Sequence, residues 1–170
     1  MFDVSFSQIS GTVAGGVVGG FAGFVANHLQ QRQERIRERQ NVASALVGEV
    51  GALAQLIAQS ELIRVQVAPS EIGSEPYPFH HFRGERDYMP VFRGLGASVG
   101  MLPSPLPRDL VGWYARLAIC LERTHELHEL SLGSRQELGA YILELARLLQ
   151  TEFTQLVGEA QALLDRLSRV

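Results

Sequence analysis

From Val4 to Gln31 the chain contains no Asp, Glu, Lys or Arg. The run Ile9 to Ala26 reads ISGTVAGGVVGGFAGFVA, weakly apolar and free of proline. A helix rises about 1.5 Å per residue, so these residues would span roughly 27 Å. A bilayer hydrocarbon core is about 30 Å thick, and extension to Phe6 and Leu29 closes the gap. Six glycines fall in this run. In water each would weaken a helix by about 1 kcal/mol. In lipid an unpaired backbone has no water to turn to, so the helix is retained. The segment 9–29 is therefore expected to be a transmembrane helix behind a short tail, 1–8.

Gly11, Gly15, Gly19 and Gly23 recur every four residues and share one stripe of that helix. Small residues at this spacing let two backbones approach closely, which is how spans associate in lipid. They are the expected transmembrane packing residues, in a glycine-zipper arrangement. A secretory leader needs a basic n-region, whereas Met1–Ser10 carries only Asp3, so cleavage is not expected. Arg32, Arg35, Arg37 and Arg39 follow the span directly. The positive-inside rule then puts the N-terminus outside and the bulk of the chain in the cytoplasm of a bacterial inner membrane. The same arginines can lie against anionic lipid headgroups, with Glu34 and Glu38 diluting the patch.

Downstream, Leu46, Val50, Leu53 and Ile57 alternate four and three apart, a heptad-like seam. A single juxtamembrane helix is expected over 30–68. A second span over 42–58 is disfavoured by Glu49 in its middle and by its short length. Pro69, Pro76, Pro78 and Pro90 mark 69–90 as a loop, with Tyr77, Phe79, Phe82 and Tyr88 as packing residues. The remainder, 91–170, is expected to hold one short helix from Val91 to Met101 and a helical hairpin. Pro107 and Asp109 suit the first turn of the next helix, which would run to about Leu130. Gly133 and the S-x-x-E box of Ser134 and Glu137 would turn the chain into the last helix. Bundle-packing residues are Trp113, Tyr114, Leu117, Leu145, Leu149 and Phe153. No stretch alternates with period two, so the expected class is all-α, one span continuing into a cytosolic antiparallel bundle.

Net charge is −3 and all fifteen cationic residues are arginine, so no basic field points to nucleic acid. With one cysteine, Cys120, neither an internal disulfide nor a Cys-based zinc cage can form. Cys120 sits in an apolar run and is expected to be a core residue. Glu122, His125 and His128 are the densest metal-ligand candidates, because E-x-x-H is the spacing of di-iron bundles. A complete site needs a second such helix, so these residues read better as a polar helix face. His80 and His81 read as a solvated loop. Gly96-Ala-Ser98-Val-Gly100 matches G-x-S-x-G, with Asp109 and His125 following in triad order. That elbow needs a strand entering a sharp turn, and none is expected here. The lack of lysine removes a Walker A site. No cofactor is expected.

The segment Tyr88 to Leu121 runs YMPVFRGLGASVGMLP, then PLPRDLVGWYARL. It resembles uncharacterised bacterial single-pass membrane proteins with a cytosolic helical bundle. The resemblance rests on Gly100-Met-Leu102-Pro103 and on Trp113-Tyr114-Ala-Arg-Leu117. It implies a membrane-anchored helical protein, gives Gly100 a turn role, and supplies no activity. The combined expectation is a non-catalytic accessory subunit. It would pack through its glycine stripe among membrane lipid and dock its bundle on a partner, as part of an oligomer or larger membrane complex. A self-oligomerising effector or sensor is the alternative, and a metal-dependent or hydrolytic enzyme stands behind both.

Overall fold

A computed structural model describes the backbone of residues 6–60, 87–132 and 139–170, and the side chains of 27–60, 87–130 and 139–170. The fold is all-α, and no strand occurs among the described residues. Helix α1 covers Phe6–Gln59, α2 Pro90–Leu95, α3 Leu106–Leu132 and α4 Gly139–Leu167. A short 3-10 turn, Ser98–Met101, lies between α2 and α3. The chain divides into two compact units, Met1–Gln40 and Asn41–Val170.

The first unit is helical from Phe6 onward. Its helix runs through Gly11, Gly15, Gly19 and Gly23, whose surroundings lie outside the described residues. Residues 27–40 are exposed on every face, Arg32, Arg35, Arg37 and Arg39 included. Gln30 donates to Glu34 at 3.1 Å, an i,i+4 pair that supports such a helix by a few tenths of a kcal/mol.

The second unit is a bundle. The seam anticipated on α1 is its inner face: Leu46, Val50 and Ile57 are fully buried and Leu53 nearly so. Helices α3 and α4 run antiparallel, as contacts from Asp109 to Arg166 and from Glu126 to Tyr141 show. Buried Leu110, Trp113, Leu117 and Leu127 meet Leu145, Leu149, Phe153, Leu156 and Leu163. Every third or fourth residue of α4 is inside, so a strong period of 3.6 ends in a continuous core stripe.

Two expectations need correction. The helix expected over 30–68 is described only as far as Gln59, the end of α1, where the Ser60 amide and hydroxyl both turn back onto the Ile57 carbonyl at 3.0 and 2.6 Å. The remainder of that expectation, 61–68, falls outside the described residues. The single short helix over 91–101 is two pieces. The chain leaves α2 after Leu95, where the Gly96 amide closes an i→i−3 bond to Arg93, and re-forms as the 3-10 turn. The third helix, expected to run to about Leu130 with Pro107 and Asp109 in its first turn, covers Leu106–Leu132. Pro103, Pro105 and Pro107 set its start. Proline disfavours helical geometry in the residue before it, and the Pro103 and Pro105 carbonyls accept from Leu106 and Asp109. The expected capping box at Ser134 and Glu137, and the Pro-rich loop up to Arg86, lie outside the described residues.

Candidate functional site

The bundle is organised around two adjacent aromatics that face different neighbours. Successive helical residues point about 100° apart. Trp113 accordingly turns toward α4, where its indole N–H donates to the Leu156 carbonyl at 2.9 Å. Tyr114 turns toward α1 and α2. Its ring stacks on Phe92 with centroids 3.9 Å apart and meets Trp113 edge-on at 5.0 Å. Both residues are almost completely buried, and each polar tip finds a partner.

The partner of Tyr114 is Glu49, a buried carboxylate on α1. Its Oε2 accepts the Tyr114 hydroxyl at 2.6 Å and the Phe92 amide at 3.0 Å, and its Oε1 accepts the Val91 amide at 2.7 Å. Val91 and Phe92 are in the first turn of α2, whose amides have no partner within the helix. Pro90 has no N–H to satisfy, and Met89 has no side-chain oxygen with which to cap. Glu49 therefore serves as the cap for α2 from a different helix, with its negative charge at the positive end of the dipole. Desolvation, together with the adjacent Glu49 charge and hydrogen bond, drives the Tyr114 phenol far above the ordinary tyrosine value. Sequence reasoning noticed Glu49 only as an argument against a second span. The signal that could have found it is the same one: a solitary acid beside an apolar seam needs donors around it.

Two open clefts flank the α3–α4 contact. The first, about 380 Å³, is lined by Arg108, Asp109, Gly112, Trp113, Arg116, Glu159, Ala162, Leu163 and Arg166. Its charges pair across the helices, Arg166 with Asp109 at 2.7 Å and Arg116 with Glu159. Half-exposed pairs of this kind contribute about 0–1 kcal/mol each and serve mainly to fix helix register. The second, about 370 Å³, is lined by Arg123, Glu126, Tyr141, Glu144, Leu145 and Leu148. Neither lining includes a serine, cysteine or histidine.

The other candidate residues are dispersed. Glu122 and His125 are exposed and His128 is half-buried. Among the described residues no three His, Cys, Asp or Glu side chains gather closely enough to hold a metal. Ser98 opens the 3-10 turn with no strand before it, so G-x-S-x-G does not form a nucleophile elbow. Asp109 is paired with Arg166, and His125 is exposed far along α3. Cys120 is buried and free. Its thiol is pushed up by burial and by the Glu152 charge, with Arg123 and Arg116 opposing. Trp113, Tyr114, Leu117, Leu145, Leu149 and Phe153 all lie in the core.

One helix near the N-terminus is long and apolar enough to cross a membrane by length and composition. Among residues with described side chains the qualifying stretch lies within Asn27–Gln59, at a mean hydropathy of 1.4. A third of that stretch is buried. It contains both Glu49 and the α1 seam, which gives it a core role in the bundle. The chain has no significant match to any protein-family model, to any curated protein or to any solved structure.

Proposed function

We propose that the chain is a non-catalytic accessory subunit of a bacterial inner-membrane assembly, anchored by residues 9–29 with its bundle in the cytoplasm. The observation that carries this reading is the composition of α1. Its first part is free of charge and striped with Gly11, Gly15, Gly19 and Gly23, and its last part supplies the inner seam of a bundle. Arg32, Arg35, Arg37 and Arg39, exposed directly after the apolar run, suit anionic headgroups on the cytoplasmic side. The buried polar groups at Glu49, Trp113 and Tyr114 hold helices together.

The test is the native mass of the full chain, gently extracted from its own membranes, with co-purifying chains identified. A heteromeric mass far above 18.7 kDa supports the accessory reading and names the partner. A discrete multiple of 18.7 kDa with nothing else bound overturns it in favour of a self-assembling effector or sensor. Recovery in the soluble fraction after cell breakage removes the membrane anchor itself.

A further inference from the structure

Helix α3 has an apolar outer face as well as an apolar inner one. Directly opposite the buried stripe of Leu110, Trp113, Leu117 and Cys120, the residues Val111, Gly112, Ala115, Ala118 and Ile119 are all exposed. Val111 is 53% exposed and Ile119 49%. Helix α4 also exposes Tyr141 and Leu148, but with Glu144, Arg147, Thr151, Thr154 and Gln155 exposed beside them. A Cβ built on Gly112 meets nothing within 4 Å, as at Gly48 in α1 and Gly158 in α4, so the helix surface there is open.

The face is also self-complementary. When α3 is laid antiparallel on a copy of itself about Ala115, position n meets the position as far on the other side of 115. Ala115 then meets Ala115, Gly112 meets Ala118, and Val111 meets Ile119. The exposed charges that end the stripe complete the match, because Arg108 meets Glu122. Small residues at the centre permit close backbone approach, large apolar ones flank them, and opposite charges close both ends. A two-fold interface requires this kind of self-matching patch. A chance surface would place like charges together as often as opposite ones.

We propose that the outer face of α3 binds a second copy of this chain as an antiparallel, two-fold helix pair centred on Ala115. The patch extends roughly 21 Å along the helix. That is smaller than a standard interface of about 1,600 Å² in total, so the pair is reversible and concentration-dependent. The pairing draws only on residues of the second unit and does not rest on the glycine stripe.

The test is disulfide trapping of the full chain in native membranes, in a Cys120→Ala background. Ala115→Cys places a thiol on the two-fold axis, and Thr154→Cys on the polar face of α4 is the control. Mild oxidation is expected to yield a covalent dimer of twice the chain mass from Ala115→Cys at least about tenfold faster than from Thr154→Cys. Arg108→Glu or Glu122→Arg alone turns two attractive contacts per dimer into repulsive ones and should slow trapping about tenfold. The Arg108→Glu/Glu122→Arg double variant should restore it. Both sites are exposed, so neither change should disturb the fold. Trapping no faster than in the control, or indifferent to charge reversal, overturns the proposal. So does a trapped product with a different protein. In a Gly15→Leu background, persistent trapping separates this interface from any pairing through the span. Loss of trapping there makes the α3 contact a consequence of span packing and overturns it as an interface of its own.

Discussion

The Tyr114 hydroxyl donates to Glu49 Oε2 at 2.6 Å across 65 residues of chain. With the Val91 and Phe92 amides on the same carboxylate, this contact ties α1, α2 and α3 together at one buried point. Hydrogen bonds to a charged acceptor are stronger than neutral ones, and each donor left buried without its acceptor costs about 1–3 kcal/mol. Glu49→Ala strands three donors and is expected to destabilise the bundle by at least about 3 kcal/mol. Glu49→Gln keeps the shape, loses the charge, and should cost about 1–3 kcal/mol. Urea denaturation followed by circular dichroism reads both values. Equal stability in Glu49→Ala and the parent chain would refute the role assigned to this carboxylate.

The same contact has a pH signature. The folded Tyr114 phenol ionises far above its ordinary value of 10.0, chiefly through burial and then through Glu49. A raised folded pKa means that the folded state holds the proton more tightly. Its contribution is fully present below about pH 10 and declines as pH rises beyond it, by up to about 1.4 kcal/mol per pH unit. Tyr114→Phe lacks that proton, so its stability deficit relative to the parent chain should shrink between pH 10 and pH 11. A deficit that stays constant over that range would mean that Tyr114 ionises freely in the folded bundle.

The apolar period of α4 was legible because one face carries most of its large apolar side chains, and Leu145, Leu149, Phe153 and Leu156 lie inside. The α1 seam was legible for the same reason. Glu49 was not, because one carboxylate among apolar residues looks the same whether it faces water or three donors 42 to 65 residues away. The division of 91–101 was hidden because Gly94, Gly96 and Gly100 tolerate helical, 3-10 and turn geometry alike. The outer stripe of α3 was hidden by its smallness, since Gly112, Ala115 and Ala118 read simply as helix filler until the inner face is located.

Phe153 is fully buried in the α4 stripe. Replacing a buried phenylalanine with alanine leaves a cavity that its neighbours fill only in part, which costs about 3–5 kcal/mol. Phe153→Leu keeps most of the volume and should cost about 1.5 kcal/mol or less. Thermal unfolding of the two variants should therefore separate them clearly. Similar melting temperatures would place Phe153 outside the load of the core.

Cys120 gives a direct readout of bundle integrity. It is 3% exposed, and its thiol is raised by burial, so at pH 7 it is neither accessible nor appreciably ionised. Alkylation must wait for the bundle to open, and the open fraction of a folded domain is about 10⁻³ to 10⁻⁶. Maleimide should therefore label native protein at least about a thousandfold more slowly than urea-unfolded protein. Glu49→Ala should accelerate native labelling in proportion to its loss of stability, and fast labelling of the parent chain would show α3 lifting away from the core.

The glycine stripe makes a prediction that separates packing from insertion. Leucine at Gly15 or Gly19 adds hydrophobicity, so the proposed span should insert as well as or better than before. The added bulk holds a neighbouring backbone away, which removes the close approach that small residues permit. Val17 lies on the opposite side of the same helix, so Val17→Leu changes hydrophobicity without touching the stripe. Native mass in mild detergent should fall for Gly15→Leu and Gly19→Leu and stay unchanged for Val17→Leu, with all three in the membrane fraction. Equal masses for all three would mean that the stripe packs against nothing. Loss of Gly15→Leu from the membrane would mean that the glycines serve insertion and not association.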